Sequence, residues 1–180
     1  MNRVLLTSED YIKTNSNISD NVWGDYLLPA IREAQEMGLQ TILGSCLYSK
    51  VIYLVDNNLI GEAENAAYKV LLDDYIQDYL MYRTITDLVP IIGVKLANLG
   101  TVISNDEHVQ SLTESERSNL KHYYEMRADF YARRMQEFLL NNRADFEELK
   151  DCDCDRIKAN LNSAASTGIW LGGMRGRRVK

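Results

Sequence analysis

The sequence predicts an all-α fold, a mainly helical bundle of the adaptor type, and three observations predict it. Apolar residues recur at three- and four-residue spacing over most of the chain, which puts them on single helix faces. Only two prolines and ten glycines interrupt 180 residues, so long regular elements are favoured. Helix-start signals stand in place, with Thr7-Ser8-Glu9-Asp10 offering a hydroxyl cap before acids and Thr113-x-x-Glu116 forming a capping box. The length suits one helical domain, residues 1–162, with residues 163–180 as an extended C-terminal arm. An apolar fraction of 46% is enough for a sizeable core.

The Thr7–Asp10 start opens a short helix that ends near Asn15-Ser16-Asn17. Ser19 or Asp20 then caps a second helix, whose Val22, Trp23, Tyr26, Leu27, Ala30, Ile31 and Ala34 form one buried face. Pro29 lies inside it and either kinks the helix or marks a fresh start at Leu28, and Gly38 fits the residue just past its end. Leu39, Ile42, Leu43, Leu47, Val51 and Leu54 mark the next helical stretch, which Gly44-Ser45 splits in two. After a turn at Asp56-Asn57-Asn58, Glu62 opens a long helix to Pro90 with Ala66, Ala67, Val70, Leu71, Tyr75, Tyr79, Tyr82 and Ile85 inward; Ile91–Ala97 continues it after a kink.

Leu99 to Leu112 changes character. Thr101-Val102-Ile103 is β-branched, and Val109 and Leu112 flank a polar turn at Asn105-Asp106-Glu107, so a small β-hairpin or an extended loop fits. The capping box at Thr113 opens a second long helix to about Asn141. Its stripe is Leu120, Tyr123, Tyr124, Arg127, Phe130, Tyr131, Arg134, Met135, Phe138 and Leu139. Short helices follow around Ala144–Lys150 and Arg156–Leu161.

Residues Gly168 to Lys180, GIWLGGMRGRRVK, differ from everything before them. They hold Arg175, Arg177, Arg178 and Lys180 and no acid. Taking their +4 from the chain's −6 leaves −10 on residues 1–167. Glycines deny this arm a helix, and it is too short for a core of its own. Its Ile169, Trp170, Leu171 and Met174 form a compact apolar group that is unfavourable in water, so docking on a partner is expected. Extended, thirteen residues reach roughly 40 Å at ~3.3 Å each, far enough to cross onto a neighbouring subunit.

The acidic balance disfavours general nucleic-acid binding. The first residues run straight into polar Thr7–Asp10, unlike a secretory signal, and no apolar run approaches the ~20 residues of a membrane span. Three cysteines, Cys46, Cys152 and Cys154, cannot all pair within one chain and suggest a reducing compartment.

No catalytic constellation emerges. His108 and His122 sit in no metal-ligand spacing. Asp151-Cys152-Asp153-Cys154-Asp155 has metal-binding side chains but lacks the second pair of ligands a closed zinc site needs; it reads as a solvated acidic turn. Asp73, Asp74, Asp78 and Asp87 read as a solvated helix face. Phosphate-loop, dinucleotide and nucleophile-elbow motifs are absent, and neither metal nor cofactor is expected. Eleven tyrosines, several on the helical stripes, suit a protein packed between neighbours.

Several stretches carry a resemblance. Leu6-Thr7-Ser8-Glu9-Asp10-Tyr11-Ile12-Lys13 looks like the opening of phage head–tail adaptor proteins. LLPAIREAQEMGLQTILGSCLY (27–48), VKLANLGTV (94–102), NLKHYYEMRADFYARRMQEFL (119–139) and SAASTGIWLGGMRG (163–176) resemble connector proteins of crAss-like bacteriophages. The resemblance implies a structural virion protein of the neck, assembled in the host cytoplasm, without enzymatic activity or membrane contact. It implies a ring, commonly dodecameric, that docks under the portal protein, meets other neck and tail proteins, and passes genomic DNA without sequence-specific binding. Ile169, Trp170, Leu171 and Met174 would then anchor the arm in a partner's apolar groove, with Arg175, Arg177 and Arg178 pairing with partner acids. An acidic body would suit a channel wall that repels DNA. The rival reading is a DNA-contacting helical protein that uses the basic arm on phosphates.

Overall fold

The computed structural model describes residues 4–18, 24–91, 94–97, 100–103, 113–150 and 157–161. The fold is all-α, with one small antiparallel ribbon. Helix α1, Glu9–Asn15, starts at Ser8, whose hydroxyl accepts from the Tyr11 N–H at 3.1 Å. Helix α2, Gly24–Glu33, contains Pro29 in its interior, so Leu28 is not a fresh start. Gly38 does not end the run either. Ala34–Leu39 forms a π-helical turn that passes directly into α3, Gln40–Asp56. Glycine at 38 serves close approach instead: a Cβ there would stand 2.5 Å from the Tyr79 hydroxyl.

Helix α3 breaks where expected. Gly44 has φ 74° and ψ 160°, a backbone region that is essentially glycine-only. The break takes the Ser45 N–H and the Thr41 and Ile42 carbonyls out of the normal helical ladder, and buried groups of this kind need other partners. Residues 157–161 supply them. The Ser45 N–H donates to Ile157 O at 2.9 Å, and the Asn160 N–H donates to Thr41 O and Ile42 O at 3.3 and 3.2 Å. Gln136 Nε2 holds the same segment through Asn160 O at 2.7 Å. This is why 157–161 is irregular and not the helix expected over Arg156–Leu161.

The 3₁₀ turn Ala63–Asn65 precedes α4, Ala66–Leu71, which passes through a second π turn, Leu72–Ile76, into α5, Gln77–Leu88. The extra residue of a π turn rotates the inward face. Tyr68, Leu71, Leu72, Ile76, Tyr79 and Leu80 are therefore buried, while Ala66 and Val70, expected inside, are exposed. Beyond α5 the expected helical continuation over Ile91–Ala97 is replaced by strand β1, Val94–Ala97. It pairs antiparallel with β2, Gly100–Ile103, in the register Val94↔Ile103 to Ala97↔Gly100. The register closes at Ala97↔Gly100, and the polar turn expected at Asn105–Glu107 falls outside the described residues. A β-branched run beside Gly100 favours extended backbone over helix.

Helix α6, Glu114–Asn141, opens on the expected capping box: Thr113 Oγ1 accepts from the Glu116 N–H at 3.3 Å, and Glu116 Oε2 accepts from the Thr113 N–H at 2.9 Å. Instead of a short helix over Ala144–Lys150, two 3₁₀ turns follow, Arg143–Asp145 and Glu147–Leu149. Between them Phe146 is fully buried, edge-on to Tyr68 (5.3 Å, 88°) and near Phe138 (6.0 Å, 69°).

Two apolar clusters form the core. The larger joins α3, the α4–π segment and the C-terminal half of α6 around Leu39, Leu47, Leu71, Ile76, Leu80, Met135, Leu139 and Phe146. The smaller joins α1, α2 and α5 around Ile12, Leu27, Ile31, Met81, Ile85 and Leu88. Helix α5 thus contributes to both. Against α6 the packing is aromatic: Tyr75 stacks on Phe138 (4.3 Å, 23°) and Tyr82 on Tyr131 (5.1 Å, 16°). The continuous run Gly24–Asp56 is long and apolar enough to cross a membrane by composition, against the expectation from the sequence. In this fold, however, its Leu27, Ile31, Leu39, Leu43 and Leu47 are fully buried against protein. Cys46 is disulfide-bonded; Cys152 and Cys154 lie outside the described residues.

The break in α3 sets a test. Gly44→Ala forces a Cβ onto a glycine-only conformation and to 2.5 Å from the Ala159 N. The expected cost is ~2–4 kcal/mol from backbone strain and displaced contacts, measured by chemical denaturation. A neutral substitution would show that the kink is not required.

Candidate functional site

The first surface of interest is the outer face of α6. None of residues 114–126 is buried, and the helix's buried positions, Ala128, Met135, Gln136 and Leu139, all lie in its second half. At ~1.5 Å per residue the helix is about 42 Å long, so its first half has far less core to cover than its length suggests. Yet this half is not polar. Tyr123 is 46% exposed, and Met126 and Phe130 are each 61% exposed, with Leu120 beside them. Their three-, four- and seven-residue spacing places them on one face. Tyr123, Phe130 and Leu120 were expected in the buried stripe; the core is reached instead by Ala128, one face round the helix. Met126 escaped the sequence pattern altogether, because it belongs to the outward face.

This face has built-in order. The Arg127 guanidinium lies over the Tyr123 ring, 3.3 Å from its centroid, and donates through Nη1 to Tyr123 O at 3.1 Å. Tyr123 meets Tyr124 edge-on at 5.2 Å, and Phe130 meets Tyr131 edge-on at 5.3 Å. Arg134 reaches over the Tyr75 ring and pairs with Asp78 at 3.9 Å. Aromatic side chains, methionine and arginine are the residues enriched where protein surfaces meet. Exposed together they form an apolar patch of the kind that marks a contact site.

The second surface is a shallow, open groove of ≈ 640 Å³ along the stretch Leu5–Tyr11, bordered by Leu28, Val55, Leu72 and Gln77. Its wall is held in place by Gln35, which the first π turn buries. Gln35 Oε1 accepts from the Leu6 N–H at 2.9 Å, and Nε2 donates to Val4 O and to the Tyr48 hydroxyl, each at 3.0 Å. Thr7 Oγ1, in this wall, is buried with no hydrogen-bond partner among the described residues. The Tyr11 hydroxyl donates to Asp78 Oδ1 at 3.1 Å. Burial and the neighbouring Asp78 and Asp73 carboxylates push the Tyr11 phenol up to about 12.

Other candidates from the sequence resolve into ordinary surface pairs or lie beyond description. Asp73 pairs with Lys69, and Asp87 with Arg83 at 3.0 Å. Asp78 is taken by Tyr11 and Arg134, so the four acids form no working carboxylate pair. His122 is exposed, 3.8 Å from the Glu125 carboxylate. Among the described residues no group of three or more metal-binding side chains converges. His108, the Asp151–Asp155 string, and the predicted contact residues Ile169, Trp170, Leu171, Met174, Arg175, Arg177 and Arg178 lie outside the described residues, as does the whole of the arm, 163–180.

The architecture is thus a mainly helical one with an outward aromatic stripe on α6 and a groove lined in part by Glu9 and Asp10. The chain belongs to the DUF6712 family, a family of unknown function, whose model matches residues 39–159. That match runs from the start of α3 to the segment that closes its kink. No curated protein and no solved structure matches the chain.

Titration offers a direct check on the packing. Burial pushes the Tyr79 phenol up to about 12, as it does Tyr11. Their folded pKa values exceed the unfolded value of about 10, so the stability they contribute is present in full below pH 10. It is lost as pH rises through about 12. Thermal midpoints should fall across pH 10–12, and Tyr79→Phe should weaken that dependence. An unchanged alkaline slope would contradict the burial.

Proposed function

We propose that this chain is a structural subunit of a bacteriophage head–tail connector: a ring of identical copies that docks under the portal, extends the DNA channel and carries the tail proteins. The observation that carries the reading is the outward stripe of Tyr123, Met126 and Phe130 on α6. A monomer gains nothing from three large apolar side chains 46–61% exposed on one helix face, whereas a ring subunit can bury them against a neighbour. The resemblance of residues 27–48, 94–102, 119–139 and 163–176 to connector proteins of crAss-like phages supports the same reading, and the third stretch carries this stripe. The stacking of Arg127 on Tyr123 fits it too, since a preordered arginine loses less entropy on contact.

The test separates assembly from folding. Phe130→Asp should weaken self-association by about 30-fold or more, the effect of a central contact worth ~2 kcal/mol. Its thermal midpoint should stay within about 2 °C of the parent, because the site is solvated in the monomer. Light scattering reads the first and calorimetry the second. Truncation after Thr167 should leave a folded protein that no longer copurifies with portal. A chain that remains monomeric at every concentration, alone and with portal, would end the connector reading.

A further inference from the structure

We propose that Cys46 and the Cys152/Cys154 pair form a redox-sensitive latch, which ties the C-terminal segment covalently over the break in α3 and which either member of the pair can close. The latch is independent of the ring reading. Cys46, half-buried on α3 two residues past Gly44, is disulfide-bonded. The sequence holds three cysteines, so its partner within the chain is Cys152 or Cys154, both outside the described residues.

The described residues bring the pair towards Cys46 from both sides. Upstream, the turn Glu147–Leu149 packs on α3, and the Lys150 N–H closes it by donating to Glu147 O at 3.0 Å. Downstream, the N–H of Ser45, the residue before Cys46, donates to Ile157 O at 2.9 Å, and the Asn160 N–H reaches Thr41 O and Ile42 O. Cys154 stands three residues before Ile157 and Cys152 five, spans of up to ~11 and ~18 Å. Both are long enough to bring either cysteine within the ~4.4–6.8 Å between Cα atoms that a disulfide needs. Chain entropy does not choose between them. The two closed loops differ by two residues in more than a hundred, and the cost of closure grows only as the logarithm of length.

The chemistry balances at each step. Closing the latch passes two electrons and two protons from Cys46 and one partner thiol to a low-molecular-weight disulfide, which leaves as two thiols. The third cysteine stays a thiol two residues from the bonded one. As a thiolate it attacks Cys46 Sγ; a new S–S bond forms, the old one breaks, and the displaced sulfur takes a proton from solvent. The partner changes and no oxidant is consumed. A thiol reductant opens the latch by the reverse of closure. Residues 157–161 are then held by the hydrogen bonds of Ile157, Asn160 and Gln136 without a covalent tie. The latch thus sets how firmly the chain is rooted at Leu161.

In the experiment, full-length protein is equilibrated in glutathione buffer, alkylated, digested without reduction and mapped by tandem mass spectrometry. Both Cys46–Cys152 and Cys46–Cys154 links are expected in the wild type, and Cys152→Ser and Cys154→Ser should each keep a link through the remaining cysteine. Dithiothreitol should lower the thermal midpoint of all three by roughly 5–15 °C. It should also speed trypsin cleavage after exposed Lys158 about tenfold. Cys46→Ser should show neither response, and the wild-type comparison stands even if that variant folds poorly. A link to one cysteine alone in the wild type, or one that vanishes in either serine variant, would overturn the exchange of partners. Cys46 left as a thiol in this buffer, or joined only between chains, would overturn the tie itself. A midpoint and a cleavage rate that ignore reduction would overturn its hold on the segment.

Discussion

The break at Gly44 is the constraint on which the rest of the chain path depends. A helix interrupted in a protein interior leaves donors and acceptors that water cannot reach, and each costs about 1–3 kcal/mol if unpaired. Here the Ser45 N–H and the Thr41 and Ile42 carbonyls are met by the backbone of Ile157 and Asn160. The debt of one kink thus recruits a segment more than a hundred residues away. Gln136, itself buried on α6, fastens the segment's other side. Three elements distant in sequence are locked by four hydrogen bonds, and the exit point of the chain beyond Leu161 is fixed with them. The family match, residues 39–159, takes in the kink, Gln136 and Ile157 and ends one residue before Asn160.

The two π turns solve a different problem. Helix runs that serve two cores must present more than one face, and a straight 3.6-residue repeat cannot. One inserted residue at Leu72–Ile76 lets the α4–α5 run place Tyr68 and Leu71 in the larger cluster and Met81 and Ile85 in the smaller. The turn at Ala34–Leu39 does the same between α2 and α3 and buries Gln35. A buried amide is tolerated only when its hydrogen bonds are met, and this one binds Leu6, Val4 and Tyr48. It therefore converts a local irregularity into an anchor for the N-terminal wall of the groove.

These features explain how far the sequence could be read. The caps at Ser8 and Thr113, the split at Gly44-Ser45 and the six buried positions from Leu39 to Leu54 were legible, because each follows from a local rule of backbone geometry or spacing. What failed did so where one residue changes the period or where a distant segment decides. Val70 was placed inside because nothing local announces a π turn. Arg156–Leu161 read as helix because the carbonyls that claim its backbone lie on α3. Val94–Ala97 extended a helical pattern on paper, although its register with Gly100–Ile103 is set by pairing. On α6, both faces carry aromatic residues at helical spacing, and periodicity alone cannot say which face meets the core.

That last ambiguity bears on how the molecule can work. Among the described residues of the first half of α6, Tyr124 packs against the smaller core cluster, while Tyr75, Phe138, Tyr131 and Phe146 carry the aromatic packing further along. Tyr123, Met126 and Phe130 therefore add little to the stability of the single chain and are free to serve association. The groove's wall is similarly fixed within the single chain, since Gln35 bonds the backbone of Val4 and Leu6 from behind. In the ring proposed above, a subunit built this way would fold before it assembles, and its contacts would add to a structure already formed. Assembly can then be weak at each joint and strong in a closed ring, where every copy is held from two sides.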